Sequence, residues 1–140
     1  MGLPLKEITK QVGGLKSYGV KMIKLAELAR KLGFKVTCYS YNKKKAKRKA
    51  KIKKPDKRNI IRFLKKEVPV ILAVKTYLLD DSRPRDFGHF IVINGYKNKV
   101  YTYIDSRDLK NHKIKEKYLL FAWYSNVLKS SGYLLAIEKK

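Results

Sequence analysis

Gly88-His89-Phe90-Ile91-Val92-Ile93-Asn94-Gly95-Tyr96, then Lys97-Asn98, then Lys99-Val100-Tyr101-Thr102-Tyr103-Ile104-Asp105, is the stretch whose reading decides the fold. Both halves are rich in β-branched and aromatic residues, with a polar dipeptide between them. That predicts strands at 88–96 and 99–104, joined by a tight turn at Lys97-Asn98. His89 begins the first strand and Asp105 ends the second. A rigid strand fixes an imidazole, and a carboxylate at its second nitrogen selects the tautomer and stabilises the imidazolium. Gly88 leaves the backbone beside His89 open to close approach. The same two residue types also serve as a packed strand histidine and a strand-end turn residue. Register sets a condition on the pair. A strict two-residue loop pairs Tyr96 with Lys99, hence Phe90 with Asp105, and puts the carboxylate on the face opposite His89. The two meet only if a bulge or longer loop shifts the register by one, or if Asp105 lies past the ladder and turns back.

Working outward, Val68-Pro69-Val70-Ile71-Leu72-Ala73-Val74 is a continuous apolar run, as expected of a central strand buried on both faces. Residues 77–87 read as a polar loop. Asp56 is a good N-cap for a helix carrying Ile60, Ile61, Phe63 and Leu64. Residues 34–41 alternate like a half-buried strand. A helix from near Ser17 to a glycine cap at Gly33 precedes it, and an earlier one carries Leu5, Ile8 and Val12. Downstream, a helix over about 115–129 carries Leu119, Leu120, Trp123, Val127 and Leu128, and 132–137 closes the chain as a strand. Helices come first, then mostly antiparallel strands with one late helix, which is α+β rather than alternating βαβ. The 140 residues form one domain, with a basic insertion at about 42–54.

Pro69-Val70-Ile71, the Gly88-His89-Phe90 strand and the strand ending in Asp105 resemble the C-terminal half of papain-like cysteine peptidases. The likeness is in particular to the bacteriocin-processing (double-glycine leader) peptidase domains of ABC exporters and their free-standing relatives. Residues 17–33 look like that family's Leu/Ala-rich helix, and Phe121-Ala122-Trp123 matches a further segment loosely. The resemblance implies a papain-like fold, N-terminal helices packed on a mostly antiparallel sheet. It also implies His89 as general base, Asp105 as its orienting partner, and a peptide or protein substrate with no cofactor.

The nucleophile departs from that pattern. The family carries its Cys in a Cys-Gly step at the start of an N-terminal helix, with a Gln a few residues earlier. Here Gln11 is the only glutamine and no Cys-Gly step follows it. The expectation is a domain truncated at the N-terminus, without its Cys-bearing segment. Cys38 shares a strand face with Phe34 and Val36 and has no helix N-terminus beneath it to lower its pKa. It is expected to be a core residue. A His–Asp pair without a thiolate only activates a nucleophile and does not replace one. His112, in Asn111-His112-Lys113, is expected in a solvated loop without a partner carboxylate, and one Cys with two separated His does not support zinc.

Thirty-five Lys and Arg against eleven Asp and Glu give a net charge of +24. Such a field attracts polyanions, chiefly nucleic acid or anionic membrane. Its densest part is 42–54, with nine cations and no acid, and Lys44, Lys45, Lys47, Arg48 and Lys49 are the candidate phosphate contacts. The segment reads as a disordered or extended arm for RNA or another polyanion, or as a solvated loop. No apolar face interleaves its lysines to anchor a membrane. No run reaches the ~20 apolar residues of a spanning helix, and neither a secretory signal nor a disulfide is foreseen, so a cytoplasmic location is expected. Three classes of function stand: a peptidase domain lacking its nucleophile segment, a catalytically dead peptide-binding domain of that fold, and a basic RNA-binding or ribosome-associated protein reusing it.

Overall fold

The computed structural model describes residues 22–46, 48–75, 89–125 and 133–140. The helix expected over Leu5, Ile8 and Val12, the loop at 77–87, Gly88, and the helical turn with Val127 and Leu128 lie outside them.

A seven-stranded sheet carries the molecule, in the order β2-β1-β7-β3-β4-β5-β6. The strands are β1 (Lys35–Ser40), β2 (Lys51–Ile52), β3 (Val70–Val74), β4 (His89–Lys97), β5 (Val100–Asp105), β6 (Asn111–Lys115) and β7 (Leu134–Glu138). The helices are α1 (Met22–Lys31), α2 (Lys43–Ala46), α3 (Lys57–Lys65) and α4 (Glu116–Tyr124). All neighbouring pairs are antiparallel except β1 with β2. The α+β expectation holds.

The apolar run at 68–74 is continuous because β3 is buried from both sides. Val70, Leu72 and Val74 join Ile60 and Phe63 of α3 and Leu119, Ala122 and Trp123 of α4 in one core. Ile71 and Ala73 face a second core with Met22, Ile23 and Ala26 of α1. Local signals place the helices. Gly33 takes φ +88° after α1, in the left-handed region where L side chains are strained. There Phe34 N–H donates to Ala29 O at 3.1 Å. Asp56 Oδ1 accepts from Arg58 N–H at 2.9 Å and caps α3, as its position in the sequence predicts.

Three expectations change. The β4–β5 turn is Asn98-Lys99, not Lys97-Asn98, and both residues have positive φ, 51° and 60°, as a tight hairpin turn requires. The basic insertion is not a loose arm. Its alanines give it a buried side: Ala46 at the end of α2 is fully buried and Ala50 packs on the second core. The segment then adds β2 to the sheet edge. Residues 111–115 form edge strand β6 rather than a loop, since backbone pairing with β5 needs no apolar pattern.

Candidate active site

β4 and β5 diverge from a regular ladder at one point. Ile93 lies opposite Tyr103 and Gly95 opposite Thr102, so Asn94 is an extra residue, a β-bulge. Beyond it Ile91 lies opposite Asp105. His89 and Ile91 share a face by the period of two, so the bulge turns Asp105 onto the face of His89. Gly95 belongs to this device, because a Cβ there would come within 3.0 Å of Thr102 Oγ1. Both candidate side chains emerge on the α3–α4 face, since Val74, the partner of His89, belongs to that core.

The consequence is contact. His89 Nε2 lies 2.8 Å from Asp105 Oδ1, with side-chain exposures of 17% and 2%. Asp105 is also gripped by Arg107, whose backbone N–H donates to Oδ1 at 2.9 Å and whose Nη2 donates to Oδ2 at 2.7 Å. Arg107 Nε reaches both oxygens at 3.1 Å. Burial pushes the Asp105 pKa up, but the side-chain and backbone hydrogen bonds of Arg107, with a smaller contribution from His89, outweigh it. The carboxyl is held well below its usual range. An ionised carboxylate only accepts, so the proton at this contact sits on Nε2. Nδ1 is left as the basic nitrogen of the neutral ring.

Sequence reasoning passed over Arg107. Its signal is Asp-x-Arg at a strand or helix boundary, where the aspartate accepts from the backbone two residues on while the arginine folds back. Asp56-Lys57-Arg58 uses the same device, with Arg58 Nη2 2.7 Å from Asp56 Oδ2.

His112 is corrected. It stands on β6, its ring stacks on Tyr103 with centroids 5.1 Å apart, and Nε2 lies 2.8 Å from Asp108 Oδ2. A carboxylate four residues back reaches it because residues 106–110 curl around the Asp105 carbonyl, which accepts from Leu109 N–H at 2.8 Å. Among the described residues no three His, Cys, Asp or Glu side chains form a metal-binding group.

Cys38 lies far from this chemistry. It faces the second core, on the opposite side of the sheet, and burial pushes its thiol up to about 11. Of the proposed phosphate contacts, Lys44 is exposed on α2, Arg48 is exposed with φ 62°, and exposed Lys49 is ion-paired with Glu27. Lys47 and the side chain of Lys45 lie outside the described residues.

The model of the Peptidase_C39 like family matches residues 7–132. The chain belongs to this family. Among solved structures, this family member is similar to the peptidase domain of Streptococcus ComA, a bi-functional ABC transporter involved in a quorum-sensing pathway. The two align with a TM-score of 0.64 at 14% identity, over 100% of this chain and 81% of that one. At that identity the likeness is one of fold. No curated protein matches the chain. Within the described residues of this Peptidase_C39 like chain, no helix is long and apolar enough to cross a membrane.

Proposed function

We propose that this chain is a cysteine-peptidase-like domain carrying the base half of a thiol–imidazole–carboxylate site, acting on a peptide or protein. By itself it hydrolyses no peptide bond. The observation that carries the reading is the 2.8 Å bond from His89 Nε2 to an ionised, buried Asp105, which leaves Nδ1 as the base. In such a site Nδ1 takes the proton of a thiol about 3 Å away, the thiolate attacks the peptide carbonyl, and Asp105 stabilises the imidazolium that results. The protonated ring then returns that proton to the leaving amine. His89 and Asp105 are the catalytic pair, and Arg107 is a positioning residue that fixes the carboxylate.

The chain's single cysteine cannot be the thiol, because Cys38 is buried on the other face with its pKa pushed up to about 11. Turnover therefore requires a cysteine from outside these residues. Without one, the same surface binds peptide and releases it uncut. The test is hydrolysis of fluorogenic peptides, with double-glycine leader peptides among them, by wild type, His89→Ala and Cys38→Ser. All three are expected at background. Turnover lost in His89→Ala but kept in Cys38→Ser would reveal another nucleophile, and turnover lost in Cys38→Ser would overturn the burial argument. Ring 15N shifts of His89 should report a proton on Nε2. A proton on Nδ1 would remove His89 as the base.

A further inference from the structure

The outer face of α3 and α4 has a composition that neither the peptidase reading nor the core requires. α4 turns Leu119, Ala122 and Trp123 inward. On successive turns it leaves Tyr118, Phe121 and Tyr124 outside, at 51%, 60% and 43% exposure. A core helix of this size would ordinarily carry charged residues there. α3, on the same face of the sheet, has no acidic residue, and its Arg62 and Lys65 are exposed. The two helices are tied at their N-terminal ends by Lys57 Nζ, 2.9 Å from Glu116 Oε1. Glu116 is the one acid of α4, and it is buried and bonded, so it does not offset the surface field. Lys117 adds a cation 5.1 Å from the centre of the Tyr118 ring.

From this we infer that the α3–α4 face binds single-stranded nucleic acid, with phosphates on Arg62, Lys65 and Lys117 and bases stacked on Tyr118, Phe121 and Tyr124. Charge identifies the occupant as a polyanion, since the chain carries +24. The aromatics identify which one. Exposed rings among cations are the stacking platform of single-strand binders, and a duplex, whose bases are already stacked, gains nothing from them. An anionic membrane would be expected to meet aliphatic side chains as well, and the large hydrophobic side chains exposed on α4 are all aromatic. This surface adjoins the basic insertion at one edge, where Lys53 Nζ donates to Asn59 Oδ1 of α3 at 3.3 Å, and the inference does not rest on the peptidase-like reading.

The experiment is fluorescence anisotropy of a fluorescein-labelled oligouridylate with the full chain, at several salt concentrations, beside a duplex of equal length. Tyr118→Ala with Phe121→Ala should weaken single-strand binding about tenfold or more, with the salt slope unchanged, because stacking is lost but no phosphate contact is. Arg62→Gln, Lys65→Gln and Lys117→Gln together should flatten log K against log salt by about 0.7 for each contact removed. All five positions are exposed, and circular dichroism melts confirm that each variant folds. Three results would overturn the inference: duplex and single strand binding equally with no effect of the aromatic change; loss only on replacing Lys44, Lys45, Lys47, Arg48 and Lys49 with Gln; or no oligonucleotide binding while phosphatidylserine vesicles bind through Tyr118 and Phe121.

Discussion

Asp105 is held by His89 and Arg107 at once: its Oδ1 lies 2.8 Å from His89 Nε2 and its Oδ2 2.7 Å from Arg107 Nη2. The two partners divide the work. Arg107 keeps the carboxylate ionised and still, and the ionised carboxylate dictates where the proton sits on His89. The imidazole is the partly exposed end of this chain of contacts, which is the exposure that the proposed proton exchange requires.

Asp105→Ala leaves Arg107 and His89 without their shared acceptor and should cost about 2 kcal/mol of stability. The wild-type contribution is pH-dependent. The folded state holds the Asp105 pKa down, so as pH falls the unfolded chain takes up this proton first. Stability from this group is therefore complete above the ordinary aspartate value of about 4 and is lost below it, down to the folded pKa. Urea melts from pH 6 to pH 2 should show a steeper acid loss in wild type than in Asp105→Asn.

His89→Gln should be nearly silent in stability, within about 1 kcal/mol. Asp105 keeps all its bonds to Arg107, and His89 is partly exposed. Chemical denaturation of the pair of variants separates the roles, because a large loss in His89→Gln would make the histidine a structural residue.

The pair was legible in the sequence because two features survive without coordinates: a glycine-led histidine opening an apolar strand, and an aspartate ending the next. Whether they share a face was not. Parity depends on one extra residue, and Asn94-Gly95 looks in sequence like a hairpin turn while lying inside β4. The real turn, Asn98-Lys99, carries no glycine. Edge strand β6 was missed because Ile114 is its one buried residue, too little for an alternation to register. Pairing of the His112 ring with Asp108 followed from the same miss.

Cys38 should resist thiol reagents in the folded chain. With its pKa pushed up to about 11, the thiolate fraction at pH 8 is roughly 100-fold below that of an unfolded cysteine, and burial slows access further. Reaction with 5,5′-dithiobis(2-nitrobenzoate) should be complete in guanidinium and very slow without it. Fast native labelling would place the thiol at the surface.

Glu116 closes α4 onto the hairpin. It is 8% exposed, accepts from Tyr101 Oη at 3.2 Å and pairs with Lys57 at 2.9 Å, while its backbone N–H donates to Lys99 O at 2.9 Å. Burial raises its pKa, but the bonds from Lys57 and Tyr101 outweigh that and leave it lowered. Glu116→Ala strands the fully buried Tyr101 hydroxyl and should cost about 1–3 kcal/mol, whereas adding Tyr101→Phe should recover part of the loss. A double-mutant cycle by urea melts measures the coupling, and strict additivity would mean that the hydroxyl finds another partner.

Deleting Asn94 tests what the bulge does. Residues 91–97 of β4 face residues 100–105 of β5, one residue fewer, and the excess is absorbed between Ile93 and Gly95. Removing Asn94 leaves Ile93 opposite Tyr103 and Gly95 opposite Thr102 in an unbroken ladder, with Asp105 still opposite Ile91. The bulge is therefore not needed to hold the pair together once the parity is right. The deletion should keep the Nε2–H tautomer of His89 and lose less than about 1 kcal/mol, since the Asn94 side chain is exposed and its one side-chain bond, to Asn111 at 3.3 Å, is a weak one. Inserting an alanine after Asn94 instead should be worse. If the ladder absorbs it by shifting the distal register by one, Asp105 faces Val92 and points away from His89. The 15N spectrum of the His89 ring distinguishes the outcomes. A deletion variant that loses the Nε2 proton would show that the local twist of the bulge, and not register parity, holds the imidazole against the carboxylate.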